Sequence, residues 1–303
     1  MNNFESDENG LSAVCFGEVL WDVFPKHKKI GGAPLNVAFR MNSLGLKTTI
    51  ISSIGNDNNG QDILSFLKNQ NIKTDFIQIS EGFQTGVVNV IINEKGNASY
   101  DIVYPSAWDK IVQTESMDEI VSEADIFVFG SLICRDEVSR STLFHLLKKA
   151  KYKVLDINLR VPFHTINILL DLMQKADFIK LNEDELLLIC NELQSPFDFL
   201  EGHVEFIAEE TYTKQICVTK GASGAVLFYN NKFYYQKGYP VEVIDTVGAG
   251  DSFLASLIVR LSKQGSPQEA LNYACAVGAL VAGKEGANPE LTDKDIEDFM
   301  MLI

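Results

Sequence analysis

Short apolar runs alternate with amphipathic helix patterns along most of this chain, and that alternation restricts the fold more than any other feature. Residues 13–17, 48–54, 126–129, 153–157, 178–181 and 216–219 are rich in Ile, Val and Phe, the composition of strands buried on both faces. Between them, residues 34–44, 61–70, 137–149 and 183–190 read as helices. Pro34 suits a first helical turn, and Gly45 after Leu44 suits a helix C-terminus. Strand–helix alternation implies a mostly parallel sheet covered on both faces, so the expected class is α/β. The 303 residues, 46% of them hydrophobic, can bury the core of one large α/β domain or of two smaller ones.

Two stretches break the rhythm. Residues 20–30 and 85–104 each follow a core strand with no helix between. In the second, Val88, Val90 and Ile92 alternate with Val87, Asn89 and Ile91, a turn is expected at Glu94-Lys95-Gly96-Asn97, and residues 98–104 return. That pattern predicts a β-hairpin, either an ordinary edge hairpin or part of a small lid that excludes water from a site.

The densest chemical signal is Val243-Ile244-Asp245-Thr246-Val247-Gly248-Ala249-Gly250-Asp251, followed by an apolar helix pattern over 253–261. Gly248, Ala249 and Gly250 leave backbone N–H groups uncovered at the positive end of a helix dipole, which makes a cradle for an anion such as phosphate. Asp251 sits where a helix N-terminus is expected to hold its pKa low. An anion cradle beside an ionised base suits phosphoryl transfer to a hydroxyl. Plain turn chemistry with Asp251 as an N-cap is the structural alternative. The 55–60 stretch has the gap of a Walker loop, but Gln61 and Asp62 stand where Lys and Ser/Thr are required. A dinucleotide fingerprint fails as well, because Phe253 takes the place of its third glycine.

Open parallel sheets bind ligands beyond the carboxyl ends of their strands, and polar residues gather there. The first strand ends in Gly17-Glu18, followed by Asp22, and Gly31-Gly32 leads into the helix carrying Asn36. Asp22 and Asn36 could accept from and donate to several hydroxyls of a ligand, or serve as turn and capping residues. Asp156, Asn158 and Arg160 are spaced to share one strand face, where they meet a ligand or form a structural polar ladder. Asn182 and Glu185 have the spacing of a capping box, and a hydrated metal would also explain them. Residues 217–225, with Lys220, Gly221, Ser223 and Gly224, read as strand, glycine turn and strand, open to a flat ligand such as adenine.

A net charge of −15 argues against a general affinity for nucleic acid. Five scattered cysteines without a Cys-x-x-Cys read as buried thiols in a reducing cytosol, and four scattered histidines offer no zinc pattern. The longest apolar run is too short to span a bilayer. Residues 1–11 are acidic and polar, read as a tail rather than a signal peptide.

Four motifs carry a resemblance over essentially everything from Ala13 onward: Gly31-Gly32-Ala33-Pro34-Leu35-Asn36-Val37-Ala38, Asn182-x-x-Glu185, Thr219-Lys220-Gly221-Ala222-Ser223-Gly224, and residues 245–251. Together and in this order they are similar to the ribokinase-like (pfkB) carbohydrate kinases. Gly17-Glu18-Val19-Leu20-Trp21-Asp22, Ser99-Tyr100-Asp101-Ile102, Ala107-Trp108-Asp109 and Asp156-x-Asn158-Leu159-Arg160 make fructokinases the most similar branch. Val247, where many relatives carry a second Thr, is a departure.

The resemblance implies a three-layer ribokinase-like fold plus a small β-sheet lid. It implies one kinase domain over residues 1–303, with lid segments near 19–31 and 85–106. Asp251 would take the proton of a sugar hydroxyl attacking the γ-phosphate of ATP, with the amides of Gly248, Ala249 and Gly250 as the anion hole. Asp22, Gly31, Gly32, Asn36, Asn158 and Arg160 would hold the sugar, with Tyr100 or Ile102 closing from the lid. Asn182, Thr219, Lys220, Gly221, Ser223, Gly224, Gly248 and Gly250 would border the nucleotide. Asn182 and Glu185 would organise water around Mg²⁺. Relatives often bind K⁺, for which Asp245 and carbonyls near Val247 and Gly286 match. The implied product is fructose 6-phosphate, made in the cytoplasm by a monomer or by a homodimer joined through the lid. A 2-keto-3-deoxygluconate kinase, another sugar kinase or a catalytically silent sugar sensor are the alternatives.

Overall fold

The computed structural model describes residues 10–92 and 98–301. The expected turn at 94–97, and residues 1–9 of the expected tail, lie outside these. The chain opens with β1 (Ser12–Phe16), β2 (Leu20–Val23), β3 (Lys28–Gly31) and α1 (Ala33–Ser43). Next come β4 (Lys47–Gly55), α2 (Asn58–Asn69), β5 (Ile77–Ser80), β6 (Gly86–Ile92) and β7 (Ala98–Ile102). The middle runs α3 (Glu115–Glu123), β8 (Ile126–Gly130), α4 (Glu137–Leu146), β9 (Lys153–Asp156), α5 (Ile166–Met173), β10 (Phe178–Asn182) and α6 (Glu183–Glu192). The last part holds α7 (Leu200–Thr211), β11 (Gln215–Thr219), β12 (Ala225–Tyr229), β13 (Lys232–Gln236), α8 (Ala249–Ser262), α9 (Pro267–Ala282) and α10 (Asp293–Met301).

A nine-stranded sheet runs in the order β13-β12-β11-β10-β9-β8-β1-β4-β5. It is parallel from β5 to β11, and β12 and β13 add an antiparallel edge. All six strands expected from the sequence lie in it. Alternate residues of each strand feed opposite cores, as the two-residue period of a strand requires. Val14, Phe16, Phe127 and Phe129 pack with residues of α3 to α7, whereas Ala13, Cys15, Ile126 and Val128 pack with α1, α8 and α9. Helices therefore cover both faces, giving the three-layer α/β fold.

The two rhythm-breaking segments form a second sheet, ordered β3-β2-β6-β7. Its register sets Lys29 opposite Asp22, Asp22 opposite Val88 and Val88 opposite Ile102, so these four share one face. A buried ion pair anchors the base of this sheet. Arg135 donates from Nε and Nη2 to the two oxygens of Asp109 at 2.7 and 2.8 Å, and Nη2 also reaches the Val103 carbonyl at 2.8 Å. The guanidinium lies 3.9 Å from the Trp108 ring centre. The 55–60 stretch joins the end of β4 to the first turn of α2, where Asp57 caps the helix, accepting from the Gly60 N–H at 2.8 Å and from Thr85 Oγ1 at 2.7 Å.

One geometric expectation fails. β9 ends at Asp156, and Asn158 takes φ +39°, so strand alternation stops before Arg160. Asp156 is buried and Arg160 is exposed, so the three do not share a strand face.

Candidate active site

Helix α8 begins where Gly248 turns the chain at φ +76°, and a side chain there would start 2.5 Å from the Ala287 carbonyl oxygen. Only glycine satisfies both constraints. The first turn of a helix leaves its N–H groups without helical partners, which suits residues 248–250 to cradle an anion. The Ala249 N–H donates to the Thr246 carbonyl at 3.3 Å, so it is partly committed to the turn.

Asp251, in the first turn of α8, is half-buried. Asn36 Nδ2 on α1 donates to its Oδ2 at 2.8 Å, and Asn288 Nδ2 donates to Asn36 Oδ1 at 2.8 Å. This chain of amides fixes the carboxylate in one orientation. A helix N-terminus by itself favours a low pKa, and here the structure corrects that expectation. Burial, then the negative charge of Asp156, push Asp251 up to about 6, against Lys180, the Asn36 hydrogen bond and Arg160. Desolvation and the Asp156 charge together outweigh the dipole, whose favourable contribution reaches only about 2 kcal/mol even at a partly buried terminus.

Lys180 is a site residue that sequence reasoning missed. Its Nζ donates to both oxygens of the buried Asp156, at 2.9 and 3.2 Å, and stands 3.3 Å from where a side chain on Gly250 would begin. Burial works to lower its pKa, but the charges of Asp156, Glu185 and Asp251 hold it above the usual lysine value. A fixed cation therefore lies beneath the anion cradle. The available signal was a lone lysine inside Phe178-Ile179-Lys180-Leu181, since a charge in a buried strand needs a partner.

At the end of β1, Glu18 is only 4% exposed, and its Oε2 has no hydrogen-bond partner among the described residues. Burial pushes it up to about 7. Asp22, pushed up to about 6 mainly by burial, lies on the lid sheet. A Cβ on Gly32 would overlap the Glu18 carbonyl oxygen, so the backbone approaches closely there. The exposed Arg160 donates to the carbonyl of Leu159 at 2.9 Å, and its charge draws down the pKa of Glu18, Asp22 and Asp251 alike. The structure thus brings Asp22, Arg160 and Asp251 into one electrostatic cluster, with Asn36 bonded to Asp251. On the lid face, Tyr100 is 58% exposed opposite Val90, and Ile102 packs partly against the core.

Asn182 and Glu185 form a complete capping box. Asn182 Oδ1 accepts from the Glu185 N–H and Glu185 Oε2 from the Asn182 N–H, both at 2.8 Å. Glu185 Oε1 accepts the Leu159 N–H at 2.8 Å, so both carboxylate oxygens are engaged by backbone. No group of three or more His, Cys, Asp or Glu among the described residues is placed to hold a metal ion. No helix among them is long and apolar enough to cross a membrane.

Beside the cradle lies a cavity of about 570 Å³ lined by Asn182, Thr219, Gly221, Gly224, Gly250 and Phe253, among others. Lys220, Ser223 and Gly248, expected at the same ligand, are not among its lining residues. In the turn before the cradle, Asp245 Oδ1 accepts the Val247 N–H at 3.0 Å and Oδ2 the Gly286 N–H at 3.1 Å. The three residues expected around K⁺ are therefore together, but joined to one another.

The sequence model of the pfkB family carbohydrate kinases matches residues 1–294. The chain belongs to that family. This sugar kinase is 28% identical to a probable chloroplastic fructokinase of Arabidopsis thaliana, over 96% of this chain and 82% of that protein. It is 32% identical to a putative sugar kinase of Pyrococcus horikoshii, over 88% and 84% of the two chains. The structure of the Pyrococcus protein in complex with ATP covers 95% of this kinase and 99% of that chain at TM-score 0.79. A Vibrio cholerae fructokinase double mutant, solved with fructose, ADP and potassium ion bound, shares the fold at TM-score 0.82 and 23% identity, over 96% and 98% of the chains.

Proposed function

We propose that this kinase transfers the γ-phosphoryl group of ATP to fructose, giving fructose 6-phosphate and ADP. The observation that carries the reading is Asp251: a carboxylate oriented by Asn36, one residue beyond the glycine cradle and close to the buried Lys180 ammonium. The sugar hydroxyl loses its proton to Asp251 as its oxygen bonds to the γ-phosphorus. The bond from that phosphorus to the bridging oxygen breaks, and ADP departs. The amides of Gly248 and Gly250, backed by Lys180, stabilise charge on the transferring group. Asp22, Asn36, Asn158 and Arg160 orient the sugar, and Tyr100 and Ile102 close over it from the lid segments 19–31 and 85–106 of a single catalytic domain. Asn182, Thr219, Gly221 and Gly224 border the nucleotide, whose adenine suits the glycine-lined cavity.

Magnesium belongs with the phosphates of ATP, where it neutralises charge. Glu185, with both oxygens held by backbone amides, does not fit as a direct ligand and would reach the ion through water. All five cysteines are buried free thiols, which supports a cytoplasmic setting.

The exposed guanidinium of Arg160 favours a second reading, in which it pairs with the carboxylate of 2-keto-3-deoxygluconate. An ADP-release assay with Mg-ATP against fructose, the keto acid, ribose, glucose, mannose and adenosine separates the two. Selective turnover of fructose is expected. Preference for the keto acid would reassign Arg160, and sugar binding without any turnover would point to a silent sensor.

A further inference from the structure

Lys29 carries this inference, which rests on reading residues 248–250 as the anion hole. It stands on β3 of the lid sheet, in register with Asp22 on the face that also holds Val88 and Ile102. Its Nζ reaches out of the lid to the loops flanking the cradle, 3.3 Å from Asp245 Oδ2 and 3.3 Å from Glu285 Oε1. Lys29 and Asp245 are shielded, at 28% and 20% side-chain exposure. Asp245 fixes the turn before the cradle through the Val247 N–H and ties it to the 286 loop through the Gly286 N–H.

A potassium ion does not fit this arrangement. Asp245 Oδ2 already accepts one amide and one ammonium, and Oδ1 accepts another amide. A second cation at Asp245 would stand beside the Lys29 ammonium and be repelled by it. Although burial works against it, bonding to Asp245 and Glu285 holds the Lys29 pKa above its ordinary value, so the group stays charged.

We infer that Lys29 is a built-in monovalent cation, a positioning residue that clamps the anion-hole turn to the lid and frees this kinase from any need for potassium. A cation delivered by the lid also couples the sugar side of the site, through its neighbour Asp22, to the cradle that receives the phosphoryl group.

The test compares wild type, Lys29→Met and Lys29→Arg in KCl and in choline chloride at equal ionic strength. The first readout is thermal melting without sugar or nucleotide. Wild type is expected to melt at the same temperature in both salts, while Lys29→Met gains a potassium-specific upward shift. The second is turnover. Wild type should be equally active in both salts; Lys29→Met should fall at least tenfold in choline chloride and recover with KCl or methylammonium, and Lys29→Arg should resemble wild type. A potassium-specific melting shift or tenfold potassium activation in wild type overturns the inference, as does full potassium-free activity of Lys29→Met. If Lys29→Met does not fold, the wild-type comparison decides alone. Failure to phosphorylate fructose would overturn the substrate reading and leave the melting comparison able to decide this one.

Discussion

Asp251 feels the charge of the buried Asp156 and in turn raises the pKa of the buried Glu18, and its chemistry follows from that crowding. The proposed base must be deprotonated to act, and burial pushes Asp251 up to about 6. The kcat/KM for the sugar is therefore expected to be flat above pH 7 and to fall tenfold for each pH unit below about pH 6. Asp251→Asn should cost about 10²–10⁴-fold in kcat, the usual worth of a positioned general base, while the sugar still binds. Near-normal turnover in that variant, or a pH profile unchanged by it, would remove Asp251 from the role. Lys180 is the complementary residue: an ammonium held charged by Asp156 in an otherwise apolar strand, where it supports the cradle from a buried position.

At the scale of elements, the lid sheet is useful only if its base is rigid while its free edge closes. The rigidity comes from Arg135, whose guanidinium is satisfied by Asp109 and the Val103 carbonyl and stacked on Trp108. Beside it, Asp136 accepts from Lys110 Nζ at 2.6 Å and from the Tyr104 hydroxyl at 3.0 Å. Removing one partner of a buried pair strands the other, which costs about 3–5 kcal/mol. Arg135→Met is expected to lower stability by that amount in urea unfolding and to raise KM for the sugar more than for ATP, because the strands it anchors lie on the sugar side. Equal changes in the two KM values would mean that the pair stabilises the fold without organising the lid.

For the whole molecule, the clustered acids leave a signature in stability against pH. The pKa values of Glu18, Asp22 and Asp251 are about 7, 6 and 6 in the folded protein, all above their unfolded values. The folded state then binds more protons than the unfolded state between about pH 4.5 and 7.5, so stability falls as pH rises through that window. Asp57, Asp118, Asp136 and Asp245 are shifted downward and act in the opposite sense, but only at the acid end of the range. The ligand-free melting temperature is expected to be higher at pH 5.5 than at pH 8. Glu18→Gln should remove the largest share of the difference, on the order of 2 kcal/mol, because the part of its shift between pH 5.5 and about 7 spans roughly 1.5 pH units and each tenfold change in proton affinity is worth about 1.4 kcal/mol. A melting temperature that rises steadily from pH 5.5 to 8 would contradict the buried-acid cluster.

The alternation of apolar runs with helical patterns determined the class, the parallel strands and the small second sheet, because hydrophobic period and turn chemistry are local properties of a chain. Gly32 and Gly248 were legible for the same reason, since a positive φ and a neighbouring backbone carbonyl leave room there for glycine alone. What the sequence could not supply was distance between segments. Lys180 reads as a stray charge until β9 brings Asp156 against it, and Lys29 reads as surface until the register of β3 aims it at Asp245, 216 residues away. The position of Asp251 is legible but its pKa is not, because a helix dipole is visible in the local sequence while burial among other carboxylates is not. Asn158 and Arg160 failed as a strand face because β9 stops at Asp156, and a strand's end is set by its neighbours' hydrogen bonds rather than by its own residues.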